Sequence, residues 1–362
     1  MTLNQIRVMI VEDSPTVRAY LRETINASPR LNVVAECETA EQAIEMLHCA
    51  APDVISMDIH LPRMSGLEAT RRIMESRPTP IVIVSRSVNS EELDWTMDAL
   101  RAGAVSAVEK PSCLQGDGIS ELGARVCREL VVMSEVKVIR QRFNRPGSQK
   151  LIATSMKPHS SCSAAGTCIR QAQMVGIVAS TGGPHAVETV LAAIGSDFEI
   201  PILLVQHMTP SFHAGFISWL NRLSPQLVKE ATHGEVPMAG HVYVAPADKH
   251  LLVRGGRLAL DQGPPISGQR PSGTVLLRSM ADELGSRAAG VVLTGMGDDG
   301  ADGLLAIRHA GGLTIAEDES TAVINGMPAV ARSLGAACVS LPLESIGKTI
   351  KDLVTTPEKV CL

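Results

Sequence analysis

The sequence predicts an α/β protein built from two doubly wound, mainly parallel-sheet domains. Three observations predict it. A chain of 362 residues holds about two domains. Apolar residues reach 45% while aromatic ones stop at 2%, so the cores must be Val, Ile, Leu, Ala and Met, the usage of strands buried on both faces. Finally, short continuous apolar runs alternate with stretches of helical periodicity in both halves.

In the first half, Ile6 to Val11 reads as a buried strand, followed by a helix that Ser14 caps and Pro15 opens. Val17, Tyr20, Leu21 and Ile25 then recur at helical spacing. Further strands are expected at 31–35, 54–57, 81–84 and 105–108. Thr39 to Gln42 forms a capping box at the start of the second helix, and helices are expected near 66–76, 90–101 and 118–140. Residues 141–172, rich in Arg, Asn, Pro, Gly, Ser, Gln and Lys, read as a linker. The second half gives strands at 174–179, 201–206, 242–245, 289–294 and 312–316. Its helices are expected near 184–194, 212–222, 273–285 and 299–310, and 241–262 reads as hairpin material turning at Gly255-Gly256. The expected organisation is a first domain over 1–125, a helix and linker over 126–172, and a second domain over 173–355.

Composition excludes several classes. A net charge of -5 with no long Lys/Arg run is not the footprint of a nucleic-acid binder. The first residues lack a basic region and a long apolar core, and runs such as Ile200 to Val205 are too short to span a bilayer. No direct membrane insertion is expected. Eight scattered cysteines make no secreted disulfide framework, which points to the cytoplasm. His159, Cys162 and Cys168 fit no standard zinc spacing.

Chemistry-bearing residues gather at strand ends. In the first half Glu12-Asp13, Asp58, Ser85 and Lys110-Pro111 follow strands one, three, four and five. A doubly wound sheet brings such positions to one crevice. Three crowded carboxylates (Glu12, Asp13 and Asp58) suit Mg²⁺, a hard cation that prefers oxygen ligands. Asp58 can then attack a phosphoryl group, with Lys110 and Ser85 meeting its oxygens. In order and spacing, residues 5 to about 125 resemble the response-regulator receiver family. Two positions depart from it: Ala107 stands where the family usually has an aromatic switch residue, and His60 where an acidic residue is common.

In the second half, Ser180 follows a strand and precedes Thr181-Gly182-Gly183-Pro184, a turn whose glycines allow close approach to the next helix N-terminus. Taken alone, that segment is more often a turn and cap. His207 ends another strand and can serve as a general base. Gly295 to Gly300 fits a dinucleotide-binding fingerprint, with Glu317 and Asp318 about 20 positions on. However, Asp298 and Asp299 would repel a pyrophosphate. An aspartate in that loop is better used to orient His207, giving a Ser-His-Asp triad. The segments Ala179 to Gly183, Gln206 to Met208 and Thr294 to Gly300 resemble the signature segments of the chemotaxis methylesterase catalytic domain over about 172–350.

Together the two resemblances imply a flavodoxin-like receiver followed by a Rossmann-like methylesterase domain. They imply Ser180 as nucleophile, His207 as base and Asp299 as orienting carboxylate, with Asp298 the alternative. The backbone N–H groups of Thr181 and Met296 become oxyanion donors. The implied reaction removes methyl esters from glutamates of chemoreceptor cytoplasmic domains, and deamidates receptor glutamines, without a cofactor for the ester step. A histidine kinase of the chemosensory array would phosphorylate Asp58 with Mg²⁺ present, releasing the hydrolase site from the receiver. A non-enzymatic adaptor is the alternative; a serine-reactive phosphonate need not label it at Ser180.

Overall fold

The computed structural model describes residues 5–85, 90–110, 118–136, 138 and 172–355. Most of the expected linker, together with His159, Cys162 and Cys168, lies outside the described residues.

The first unit alternates strands β1 (Ile6–Val11), β2 (Leu31–Cys37), β3 (Val54–Met57), β4 (Ile81–Ser85) and β5 (Ser106–Glu109) with five helices. These are α1 (Pro15–Asn26), α2 (Ala40–Ala50), α3 (Gly66–Ser76), α4 (Ser90–Arg101) and α5 (Gly118–Met133). The sheet is parallel in the order β2-β1-β3-β4-β5, so the chain reverses direction beside β1 and leaves a crevice at the strands' carboxyl ends. Every residue of β3 and β4 is buried, as their unbroken apolar runs require. Thr39 caps α2 by accepting from the Gln42 N–H, while the Gln42 side chain reaches past Thr39 to accept from the Glu38 N–H. The helix expected to run to 140 ends at Met133. There the Ser134 hydroxyl donates to the Val131 carbonyl at 2.8 Å and competes with helical bonding.

The second unit comprises β6 (Met174–Ala179), α6 (Gly183–Ile194), β7 (Ile202–Gln206), α7 (Pro210–Leu223), β8 (Leu227–Glu230) and β9 (His241–Val244). It continues through β10 (His250–Arg254), β11 (Arg257–Asp261), α8 (Gly273–Leu284), β12 (Ala288–Val292) and α9 (Ala301–His309). It closes with β13 (Leu313–Glu317), α10 (Met327–Ser333), β14 (Val339–Leu341) and α11 (Leu343–Thr355). Seven of its strands form a parallel sheet, β14-β13-β12-β6-β7-β9-β8. The chain runs from β6 to β7, out to β8 at the edge and back to β9 between them, then crosses to β12 on the other flank. The switch point therefore lies at β6. The expected hairpin is narrower than 241–262: only β10 and β11 pair antiparallel around Gly255-Gly256, whereas β9 joins the parallel sheet between β7 and β8.

The two units meet along α4 and α7. Leu93, Met97 and Leu100 of α4 recur at helical spacing and pack into the core that holds Phe212, Phe216 and Trp219 of α7. The helices approach closely because α7 carries Gly215, where a Cβ would lie 2.5 Å from the Leu93 Cβ. Polar contacts border this apolar seam. Trp219 Nε1 donates to Asp98 at 3.0 Å, Arg222 pairs with Asp94 at 2.7 Å, and Arg101 pairs with Glu188 at 2.9 Å. Pairs on the rim of this kind are worth at most about 1 kcal/mol each, so the buried aromatic and aliphatic groups carry the contact.

Candidate hydrolase and phosphoacceptor sites

Three adjacent central strands, β12, β6 and β7, deliver Asp299, Ser180 and His207 to one edge of the second sheet. Local hydrogen bonds then draw the loops together. The Ser180 N–H donates to the Thr294 carbonyl, and the His207 N–H donates to the Ala179 carbonyl, both at 3.0 Å. The Ser180 carbonyl accepts from the Gly183 N–H and from Gln206 Nε2, each at 2.8 Å. A side chain at position 183 would displace the Gln206 amide, because its Cβ would fall 2.1 Å from Gln206 Oε1.

His207 is nearly buried, and its Nε2 lies 2.9 Å from Asp299 Oδ2. Its Nδ1 is buried and has no hydrogen-bond partner among the described residues. With Nε2 committed to the carboxylate, Nδ1 is the ring atom left to accept a proton. Of the two adjacent aspartates, Asp299 is buried and faces His207, whereas Asp298 is exposed.

Asp299 is held by four donors. Oδ1 accepts from Ser272 Oγ at 2.6 Å and from the Thr274 N–H at 3.0 Å. Oδ2 accepts from the Gly273 N–H at 2.6 Å and faces His207. Burial alone would raise this carboxyl, but His207, Ser272 and Thr274 outweigh it and bring it down to about 2. The carboxylate therefore remains charged beside His207 at neutral pH. Ser272, Gly273 and Thr274 open α8, so the first turn of that helix supplies both N–H groups and dipole. Sequence reasoning missed this clamp. A Ser-Gly-Thr run ahead of a helix signals a cap, but nothing local says which carboxylate the helix start will meet.

Two peptide planes beside the site are pinned. A trans peptide points its N–H opposite to its C=O. The Ser180 carbonyl is fixed inward by Gly183 and Gln206, which turns the Thr181 N–H the other way. The Gly295 carbonyl accepts from the Gly326 and Met327 N–H groups at 3.1 and 2.9 Å, which orients the Met296 N–H in the same manner. Met296 is itself 41% exposed.

Glu317 does not present an acid to a ribose, as a dinucleotide site would need. It is fully buried and accepts from the Thr294 N–H at 2.8 Å and the Thr321 hydroxyl at 3.1 Å. It borders a cavity of about 210 Å³ between the two units, shared with Gly182, His185 and Thr294. Burial pushes its carboxyl up to about 7 against those two bonds, with the Glu344 charge adding to the rise. Its stabilising contribution is therefore complete below its ordinary value of 4.5 and is lost as pH rises through about 7. Glu317→Gln is expected to flatten the stability profile across that window. At pH 8 it should gain about 2–3 kcal/mol on the parent, read by urea unfolding at pH 5 and pH 8.

In the first unit, the sheet's carboxyl edge gathers the expected cluster. Carboxylate oxygens of Glu12, Asp13 and Asp58 lie within 4.8 Å of one another. Lys110 Nζ sits 2.6 Å from Asp58 Oδ2 and 2.7 Å from Glu12 Oε2, pairing with both carboxylates. Burial, followed by the Asp58 charge, raises the Glu12 carboxyl, and Lys110 only partly offsets this. A buried acid that remains short of positive charge suits a divalent cation. Ser85 ends β4 fully buried, and its backbone carbonyl accepts from the Lys110 N–H at 2.8 Å. The His60 N–H donates to Asp58 Oδ1 at 3.2 Å, and its ring lies against Trp95 of α4 with centroids 4.8 Å apart. Ala107, in the middle of the β5 edge, contacts apolar groups on one face of the sheet.

The family described as Response regulator receiver domain matches residues 8–116, and that described as CheB methylesterase matches residues 175–350. A protein-glutamate methylesterase/protein-glutamine glutaminase 2 of Paramagnetospirillum magneticum is 48% identical over 98% of this chain and 99% of its own length. The corresponding protein of Nitrosospira multiformis is 42% identical over 96% of this chain and 97% of its own. The crystal structure of the Thermotoga maritima CheB methylesterase catalytic domain is 36% identical, with a TM-score of 0.49, over 51% of this chain and 99% of its own.

Proposed function

The chain belongs to the CheB methylesterase family, a hydrolase domain preceded by a response-regulator receiver, and from that premise we propose that it removes methyl groups from glutamate γ-methyl esters on chemoreceptor cytoplasmic domains. The observation that carries this reading is the meeting of the Ser180, His207 and Asp299 loops at the ends of three adjacent strands.

Ser180 Oγ attacks the ester carbonyl carbon while His207 Nδ1 takes the hydroxyl proton. Asp299, acting on Nε2, fixes the tautomer and stabilises the imidazolium. The Thr181 and Met296 N–H groups face the developing oxyanion. As the tetrahedral intermediate collapses, the bond between the acyl carbon and the methoxy oxygen breaks and the imidazolium protonates that oxygen, giving methanol. His207 then deprotonates water, which attacks the acyl carbon; the C–Oγ bond breaks and the imidazolium returns the proton to Ser180 Oγ, giving a receptor glutamate and free Ser180. Glutamine follows the same route, with ammonia as the leaving group.

In the receiver, Glu12, Asp13 and Asp58 would hold Mg²⁺, which offsets the negative charge of the carboxylates and of an incoming phosphoryl group. Asp58 accepts that group from the array's histidine kinase, and Lys110 leaves its present ion pairs to meet the phosphoryl oxygens, with Ser85 beside it. The receiver restrains the hydrolase through contacts close to the catalytic loops. Arg125 of α5 donates to Thr209 Oγ1 at 2.5 Å, two residues beyond His207. Phosphorylation shifts the balance between packed and separated domains only by its preferential stabilisation of the separated form.

Methanol release from radiolabelled methylated receptor fragments tests both halves. The parent is expected to respond to a small-molecule phosphodonor with Mg²⁺. Asp58→Asn is expected to keep the basal rate within about twofold and to lose the response, since an amide cannot form the acyl phosphate. An undiminished response in that variant would refute the control model.

A further inference from the structure

The clamp on Asp299 is itself supported from behind by His250, the first residue of β10 and only 2% exposed. His250 Nδ1 accepts from the Ser272 N–H at 3.1 Å, and Nε2 lies 3.1 Å from the Pro264 carbonyl. An amide N–H can only donate and a carbonyl can only accept. The imidazole must therefore be neutral with its proton on Nε2, so that one ring ties the 262–272 loop to the start of α8.

Ser272 is the residue where that tie meets the site. It is fully buried and caps α8, accepting from the Val275 N–H while its hydroxyl donates to Asp299 Oδ1 at 2.6 Å. The peptide that follows it donates the Gly273 N–H to Oδ2 at 2.6 Å. Ser272 thus contributes both a side-chain donor and a backbone orientation to Asp299, and the Ser272 N–H is the part that His250 holds. A continuous series of hydrogen bonds runs from the Pro264 carbonyl through His250, Ser272 and Asp299 to His207.

Building on the triad reading above, we propose that His250 is a positioning residue for the hydrolase reaction, setting the Asp299–His207 geometry through the Ser272 N–H. It touches no reacting atom. Its effect belongs in kcat, because a misdirected base slows proton transfer while leaving the receptor-binding surface intact.

The test compares His250→Asn, His250→Gln and His250→Leu with the parent and with Ser180→Ala, in the full chain. Asparagine can place its carbonyl oxygen near the position of Nδ1 and keep an acceptor for Ser272. Glutamine can place its amide near Nε2 and keep a donor to Pro264. Leucine keeps neither. Steady-state methanol release from methylated receptor fragments gives kcat and KM, and thermal unfolding checks each fold. His250→Leu is expected to lose about 10- to 100-fold in kcat with KM within about twofold, and His250→Asn to recover most of the loss while His250→Gln does not. If the leucine variant does not fold, the asparagine and glutamine pair decides the question. Equal kcat in those two, or a leucine variant as fast as the parent, would overturn the proposal while an inactive Ser180→Ala left the triad standing. A fully active Ser180→Ala would remove the triad reading and this inference with it.

Discussion

Ser180→Ala is expected to fold as the parent does and to lose methanol release by a factor of about 10⁴ or more. The first half of that expectation follows from how Ser180 is held. Its N–H donates to Thr294, and its carbonyl accepts from Gly183 and Gln206, so the bonds that shape the turn belong to the backbone. Removing the hydroxyl removes the proposed nucleophile and leaves the turn. Unfolding midpoints within about 2 °C of the parent, together with absent methanol release, are the expected pair of results. Label from a serine-reactive phosphonate should disappear in parallel. Release close to the parent rate would show that some other group attacks the ester.

Asp299→Asn is expected to be comparably damaging, at about 10⁴-fold in kcat, and to destabilise the fold as well. Asparagine has nearly the same shape, but one of its two terminal atoms is an NH₂ group. In the parent, all four partners of the carboxylate are directed at it as donors: Ser272 Oγ, the Gly273 and Thr274 N–H groups, and His207 Nε2. An amide sets donor against donor on one side, leaving buried groups unpaired at a cost of about 1–3 kcal/mol. It also removes the reason for the His207 tautomer. The parent carries a matching pH signature. Because the folded carboxyl titrates at about 2 rather than at its ordinary 3.8, its stabilisation is present above about pH 4 and is lost as pH falls through 2. The arithmetic gives about 2 kcal/mol, which should be missing from the acid limb of the variant's unfolding profile. A variant that retained parental kcat would place the orienting role elsewhere.

Much of this was legible because strand ends are legible. Continuous apolar runs locate β1, β3, β4, β6, β7 and β12 to within about two residues; Asp58, Ser180 and His207 follow those runs directly, and Asp299 lies in the loop after β12. Once the sheet is known to be parallel, its topology brings the positions together. Short or exposed elements escape such reading. β8 has four residues, two of them exposed, and β14 has three, none fully buried. The seven residues of α10 complete barely two turns. The β9 segment directly precedes the hairpin in sequence, and only its pairing with β7 and β8 reveals its place. Ser272 and His250 were hidden for a different reason. Their importance lies in contacts 27 and 22 residues distant along the chain, which no local pattern encodes. The seam was obscured because Leu93, Met97 and Leu100 look like an ordinary core stripe of α4, although much of that stripe is buried by the other unit.

That seam has an optical consequence. The chain contains two tryptophans: Trp219 on α7 lies in the seam, fully buried with its indole on Asp98, and Trp95 on α4 is 38% exposed with its ring against His60 of the receiver. Trp219 therefore reports on the contact between receiver and hydrolase, and Trp95 on the surroundings of His60. Parting the units would wet Trp219 and shift its emission to longer wavelength, while rearrangement around Asp58 would act on the neighbouring Trp95. The molecule carries an intrinsic, unlabelled fluorescence gauge of its own domain arrangement.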